Sequence, residues 1–151
     1  MLHKKTMWTC PKCKHHFFNK NQSHSCGNFT VDDFLAGKPI KCVELFDLLL
    51  FEFKKIGTFE LHPVKTRVAL LTKMRFCSIN KIGPDYIDVH LVLTSLYENT
   101  LCFHKIDNLA NRFFVHHFRI YDKNDINDEL RKYMAMAYQV GNRLHVSQKN
   151  K

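Results

Sequence analysis

The spacing of apolar residues changes period twice along this chain, and that constrains the fold more than any other feature. Over Ile40–Ile56, Val43, Phe46, Leu50 and Phe53 step by three and four, which places them on one buried stripe of a helix. Leu45, Leu49 and Ile56 widen the stripe, and Gly57 supplies the stop. Over residues 58–121 the period is two. Phe59 and Leu61 alternate before Pro63, and residues 68–71 and 74–82 form two further strands. After the turn Gly83-Pro84-Asp85, the residues Ile87, Val89, Leu91 and Leu93 alternate with Tyr86, Asp88 and His90. Residues 101–107 and 113–120 complete five or six strands. The helical period then returns in Ile126, Leu130, Tyr133, Met134, Ala137 and Val140, with Asp125 as the expected cap and Gly141 as the end. A shorter helical turn is expected earlier, capped by Thr30 with Asp33 at its third position and closed at Gly37-Lys38-Pro39.

Short connections between strands favour antiparallel pairing. The expected class is therefore α+β: a small zinc knuckle or ribbon over residues 1–29, then a domain over residues 30–151. In that domain an antiparallel meander of five or six strands packs against two main helices. A chain of 151 residues with 45% hydrophobic content can bury one real core. Five Gly and four Pro exclude collagen-like and linker compositions.

No apolar signal region stands in residues 1–8, and the most hydrophobic run, residues 45–53, is broken by Asp47 and Glu52. That run falls far short of the ~20 apolar residues that span a bilayer. A soluble cytoplasmic protein without membrane contact is expected, and its thiols are reduced, so its six cysteines need a reading other than disulfides.

Cys42, Cys77 and Cys102 are isolated within apolar segments and read as core residues. The other three lie in Cys10-Pro11-Lys12-Cys13 and His24-Ser25-Cys26. A Cys-x-x-Cys turn aims two thiolates at one tetrahedral ion, and His24 and Cys26, two apart, share one face of an extended strand. Cys10, Cys13, His24 and Cys26 thus form a Cys3His set for structural Zn2+, with no open position for catalysis. His15 and His16 are alternative nitrogen donors. A redox role for the Cys-x-x-Cys pair would need a strand-to-helix context that this segment lacks. Trp8, Phe17 and Phe18 are expected to pack the knuckle onto the rest of the chain.

Lys plus Arg number 23 against 14 acids, a formal +9, and the excess is uneven. Residues 1–29 and 64–81 each contain five basic residues and no acid. Such an imbalance favours nucleic acid or another polyanion as partner. Lys65, Thr66 and Arg67 offer two cations flanking a hydroxyl at the start of a strand, with alternation placing Lys65 and Arg67 on one side. Lys73 and Arg75 extend the basic stretch. In Val115-His116-His117-Phe118-Arg119, alternation sends His117 and Arg119 to one face and His116 with Phe118 to the other, so one histidine sits near the core. His62, His90 and His104 lie on or beside strands and can extend a histidine cluster. No Ser, Cys or carboxylate stands at a spacing that completes a nucleophilic triad, no glycine-rich phosphate loop is present, and no basic recognition helix is evident.

Six blocks occur in order: Trp8-Thr9-Cys10-Pro11-Lys12-Cys13, Gln22-Ser23-His24-Ser25-Cys26, Phe34-Leu35-Ala36-Gly37-Lys38-Pro39, Pro63-Val64-Lys65-Thr66-Arg67, Val115-His116-His117-Phe118-Arg119 and Ala137-Tyr138-Gln139-Val140-Gly141. Together they resemble a bacterial family catalogued only as a domain of unknown function. The resemblance implies a zinc-ribbon-like head on an α+β domain. One departure stands out: many zinc knuckles place Gly after the second Cys, whereas this chain has Lys14 followed by His15 and His16.

The expected function is a non-enzymatic, zinc-stabilised module that binds nucleic acid or another polyanion through a basic sheet face, using Lys65, Thr66, Arg67, Lys73, Arg75, His116, His117 and Arg119. The alternatives are an enzyme or small-anion binder with a Lys/Arg/His pocket, and an adaptor that meets a protein partner through the knuckle.

Overall fold

The computed structural model describes residues 29–144 together with Trp8, Thr9, Pro11, His16 and Phe17. Two short strands, β1 (Trp8–Thr9) and β2 (His16–Phe17), pair antiparallel with Trp8 opposite Phe17 and Thr9 opposite His16. The expected zinc donors Cys10, Cys13, His24 and Cys26, and the alternative donor His15, lie outside the described residues. So does the expected packing of the Trp8, Phe17 and Phe18 side chains.

The first helix, α1 (Val31–Leu35), begins with the expected reciprocal cap. Asp33 N donates to Thr30 Oγ1 at 3.0 Å, and Thr30 N donates to Asp33 Oδ2 at 3.2 Å. Gly37 then takes φ +72°, a left-handed conformation open to glycine at no steric cost. The long helix α2 occupies Ile40–Ile56, as its periodicity predicts. Its buried stripe is rotated from the expected one: Cys42, Leu45, Phe46, Leu49 and Phe53 are deepest, and Val43 is only half-buried. On the buried side of the helix Cys42 Sγ donates to Gly83 O at 3.3 Å.

Six antiparallel strands follow: β3 (Glu60–Pro63), β4 (Val68–Leu71), β5 (Arg75–Ile82), β6 (Ile87–Leu93), β7 (Lys105–Leu109) and β8 (Phe113–Ile120). Their order in the sheet is β3-β4-β5-β6-β8-β7, so the expected meander is interrupted. Residues 94–104 carry the chain to the far edge, and β8 returns between β6 and β7. The strand expected at residues 101–107 begins instead at Lys105. Thr100 Oγ1 and Cys102 Sγ both donate to Glu129 Oε1 at 2.9 Å, which ties residues 100–102 to the last helix and holds them out of the sheet. Cys42 and Cys77 are core residues, whereas Cys102 is only half-buried.

The last helix, α3 (Asp128–Gly141), is capped by Asn127, not Asp125: Leu130 N donates to Asn127 Oδ1 at 2.9 Å. Asp125 serves one turn earlier, closing the 3-10 turn Lys123–Asp125 by accepting from Tyr121 N and Asp122 N. Helices α2 and α3 cover one face of the sheet, with α3 across β5 and β6. Phe46, Phe53, Phe76 and Phe118 are fully buried between the layers, and the Phe53 and Phe76 rings meet edge-on at 5.5 Å. Gly141 lets α3 close down on the sheet, because a Cβ there would stand 2.5 Å from the Phe76 ring. Between the helices the buried Glu52 receives Arg131 Nε at 3.2 Å and Arg131 Nη2 at 3.3 Å, which holds its carboxyl below the usual range. Among the described residues no helix is long and apolar enough to cross a membrane.

Candidate nucleic-acid interface

Register decides which residues share the sheet face turned away from the helices. One transverse row runs His62, Ala69, Ser78, His90, His117 and Lys105; the next contains Lys81, Asp88 and Arg119. The neighbouring rows, with Leu70, Cys77 and Leu91, or Val68, Ile79, Val89 and Phe118, point into the core. The face away from the helices is therefore polar, and it carries histidines from two central strands.

His90 and His117 stand directly opposite one another, with ring centroids 5.5 Å apart. His117 Nε2 donates to Asp107 Oδ2 at 2.8 Å, and this bond holds the Asp107 carboxyl below its usual range. Asn80, at the irregularity in β5, hydrogen-bonds through its side-chain amide to His90 Nδ1 at 2.8 Å. Burial, then the nearby charges of His117 and Arg67, push His90 down to about 4, which leaves it neutral near pH 7. Ser78 Oγ and Asn80 Oδ1 are buried in this row without a hydrogen-bond partner among the described residues.

The remaining expected site residues fall in three places. Lys65, Thr66 and Arg67 are exposed in the β3–β4 turn, closed by Val64 N donating to Arg67 O at 2.8 Å, and so are not strand residues. Lys73 lies in the β4–β5 turn at the other end of β4, where its backbone N donates to Gly141 O at 3.1 Å. Arg75 opens β5 and contacts His62 Nδ1. A single basic strip from Lys65 to Arg75 is thus divided by the length of β4, roughly 13 Å at ~3.3 Å per residue.

His116 and His117 separate as alternation predicts. His116 is fully buried on the helix side, where Nδ1 donates to Phe114 O at 2.9 Å and Nε2 accepts from Tyr97 N at 3.2 Å. With both nitrogens engaged, and Phe103 4.8 Å from its ring, His116 belongs to the core and takes no part in the polar face. Arg119 lies on the polar face, with its guanidinium 4.8 Å from the centre of the Tyr86 ring and Nε 3.9 Å from Asp88 Oδ1. Arg119 also lines a cavity of about 190 Å³ whose other walls include Cys102, Tyr121, Asp125 and Glu129. Two carboxylates there oppose an anion.

Asn80, Asp88 and Asp107 were not legible as members of this site. Each is an unremarkable polar residue in a strand until pairing places it beside His90, His104 or His117. Asp88 Oδ1 lies 3.7 Å from His104 Nε2, so His104 joins the same group. Among the described residues no set of three His, Cys, Asp or Glu side chains is arranged to hold a metal ion.

A family described as Domain of unknown function (DUF5655) matches residues 31–141, most of the chain. The matched stretch contains every strand of the six-stranded sheet and both main helices, and begins after the cysteine-rich head. No curated protein and no solved structure matches this chain.

Proposed function

We propose, for a chain that belongs to the DUF5655 family, a non-enzymatic role in the cytoplasm as a binding module for nucleic acid or another polyanion. The contact surface in this reading is the sheet face opposite the helices. One observation carries it: strand register sets His90 of β6, His117 of β8 and Lys105 of β7 in one row on the side away from the helices, so groups distant in sequence gather on one side of the sheet. Arg119, Lys81 and Lys105 share that face. Lys65 and Thr66 stand beside Arg67 at its edge, while Lys73 and Arg75 supply positive charge at the opposite end of β4. Asp125 and Glu129 line the cavity at Arg119, which favours an extended anion over the exposed Lys81, Lys105 and Arg119 rather than a small one in a pocket.

The head fits a structural zinc ion. Three thiolates and an imidazole from Cys10, Cys13, His24 and Cys26 suit Zn2+, and the paired strands β1 and β2 stand on either side of the Cys-x-x-Cys in sequence. The ion would supply folding energy to a segment too short to build a core.

Binding to short DNA, RNA and heparin across a salt series tests the interface. Affinity should fall linearly in log–log form, and Arg67→Gln or Arg119→Gln should each lower the slope by about one. Affinity independent of salt would remove the reading, since phosphate contacts must release counterions.

A further inference from the structure

The polar face of β6 and β8 carries planar side chains as well as charge. Tyr86 and Tyr121 flank the paired ends of β6 and β8, next to Ile87 and Ile120, with rings 5.3 Å apart. Gly83 makes room for this pair, because a Cβ there would stand 2.7 Å from the Tyr86 ring. The Arg119 guanidinium lies over Tyr86, and Arg119 Nε reaches Asp88, which in turn faces His104. The His104 ring is 6.3 Å from His117, and His117 is 5.5 Å from His90. These contacts join into one band across two central strands. Tyr121 is 43% exposed, and the side chains of His104 and Arg119 are 45% and 41% exposed, so the band is open to a ligand.

A uniformly charged ligand has no use for such rings, and a double helix keeps its bases stacked on one another. An unpaired strand offers both parts: phosphates for cations and base faces for rings. From His117 to Tyr121 the band covers roughly 13 Å at ~3.3 Å per residue, a length suited to two or three bases. Lys81 and Lys105 lie at its margins, where a backbone crossing the sheet would pass. Asp88 and Asp107 sit inside the band, with Arg119 Nε 3.9 Å and His104 Nε2 3.7 Å from Asp88 Oδ1, and His117 Nε2 2.8 Å from Asp107 Oδ2.

We propose that the ligand of this face is single-stranded nucleic acid, with bases stacked on Tyr86, Tyr121, Arg119 and His104 and phosphates held by the surrounding cations. This rests on the polyanion reading above and narrows it to one kind of polyanion.

Fluorescence anisotropy with the intact chain tests it, using a labelled single-stranded RNA, the DNA of the same sequence, the annealed duplex, and heparin as competitor. At one salt concentration a single strand should bind at least about tenfold more tightly than the duplex. Tyr121→Ala and His104→Ala, both at exposed positions, should each weaken single-strand binding about tenfold while leaving heparin affinity and the salt slope unchanged. Tyr121→Phe should retain binding, because it keeps the ring. Duplex binding equal to or tighter than single-strand binding would overturn the proposal and leave the polyanion reading standing. So would wild-type affinity in both alanine variants, or an equal loss against heparin. Absence of binding to any of these anions would remove both.

Discussion

His90 and His116 are both depressed by burial, but they stand on opposite sides of the sheet. Burial lowers His116 against the opposing bond to Phe114 O, and its Nε2, accepting from the Tyr97 amide, pins residue 97 of the loop 94–104 to β8. His90 is held neutral beside His117 and Arg67. Each has a folded-state value below its ordinary 6.5, so the unfolded chain takes up protons before the folded one does. Stability from these groups is fully present above pH 6.5 and is lost as pH falls, for His90 through the window from 6.5 to about 4. Urea midpoints measured from pH 7.5 to 4.5 should decline, and His90→Gln should flatten that decline by about 1–2 kcal/mol. An unchanged profile in the variant would show that His90 titrates as freely folded as unfolded. The division of His116 from His117 was legible in the sequence, because alternation along one strand needs no partner. The pairing of His90 with His117 was not, since it depends on β8 inserting beside β6 in one register.

The β7–β8 hairpin shows how far local signals reach at the level of elements. Its turn places Ala110 at φ 54° and Asn111 at φ 58°, and Arg112 N donates to Leu109 O at 3.1 Å. Two left-handed residues in succession suit a tight hairpin, and Asn tolerates that conformation, but Ala does not. Ala110→Gly should therefore raise stability by about 0.5–1 kcal/mol, read as a higher urea midpoint at unchanged slope. A lower midpoint would mean that the unfolded-state entropy of glycine outweighs the relieved strain. The sequence marks this turn weakly, with no glycine, which is one reason the strand before it is misplaced there. Where a strong signal exists the elements are right: Gly57 ends α2, Gly83-Pro84-Asp85 separates β5 from β6, and Thr30 with Asp33 opens α1. The failures at residues 101–107 and at the α3 cap share a cause. Glu129 draws Thr100 and Cys102 onto α3, and Asn127 replaces Asp125 once Asp125 is taken by the preceding turn.

At the scale of the whole molecule, the core and the cysteine-rich head answer to different forces. Phe46, Phe53, Phe76 and Phe118 close a core within residues 29–144. The head has a two-residue pairing between β1 and β2, and a hairpin this short is not stable alone, which leaves its proposed zinc ion to hold it. Metal and core should thus be separable. Metal analysis of the purified chain should return one zinc per molecule, and Cys10→Ala or Cys13→Ala should abolish it. In those variants amide exchange over residues 1–28 should accelerate to near the unfolded rate, while the central strands β5, β6 and β8 keep their protection. Zinc-free protein with unchanged exchange in residues 1–28 would refute the metal site. Loss of protection in the central strands would instead mean that the head contributes to the core, and that the polar face of the sheet depends on zinc for its shape.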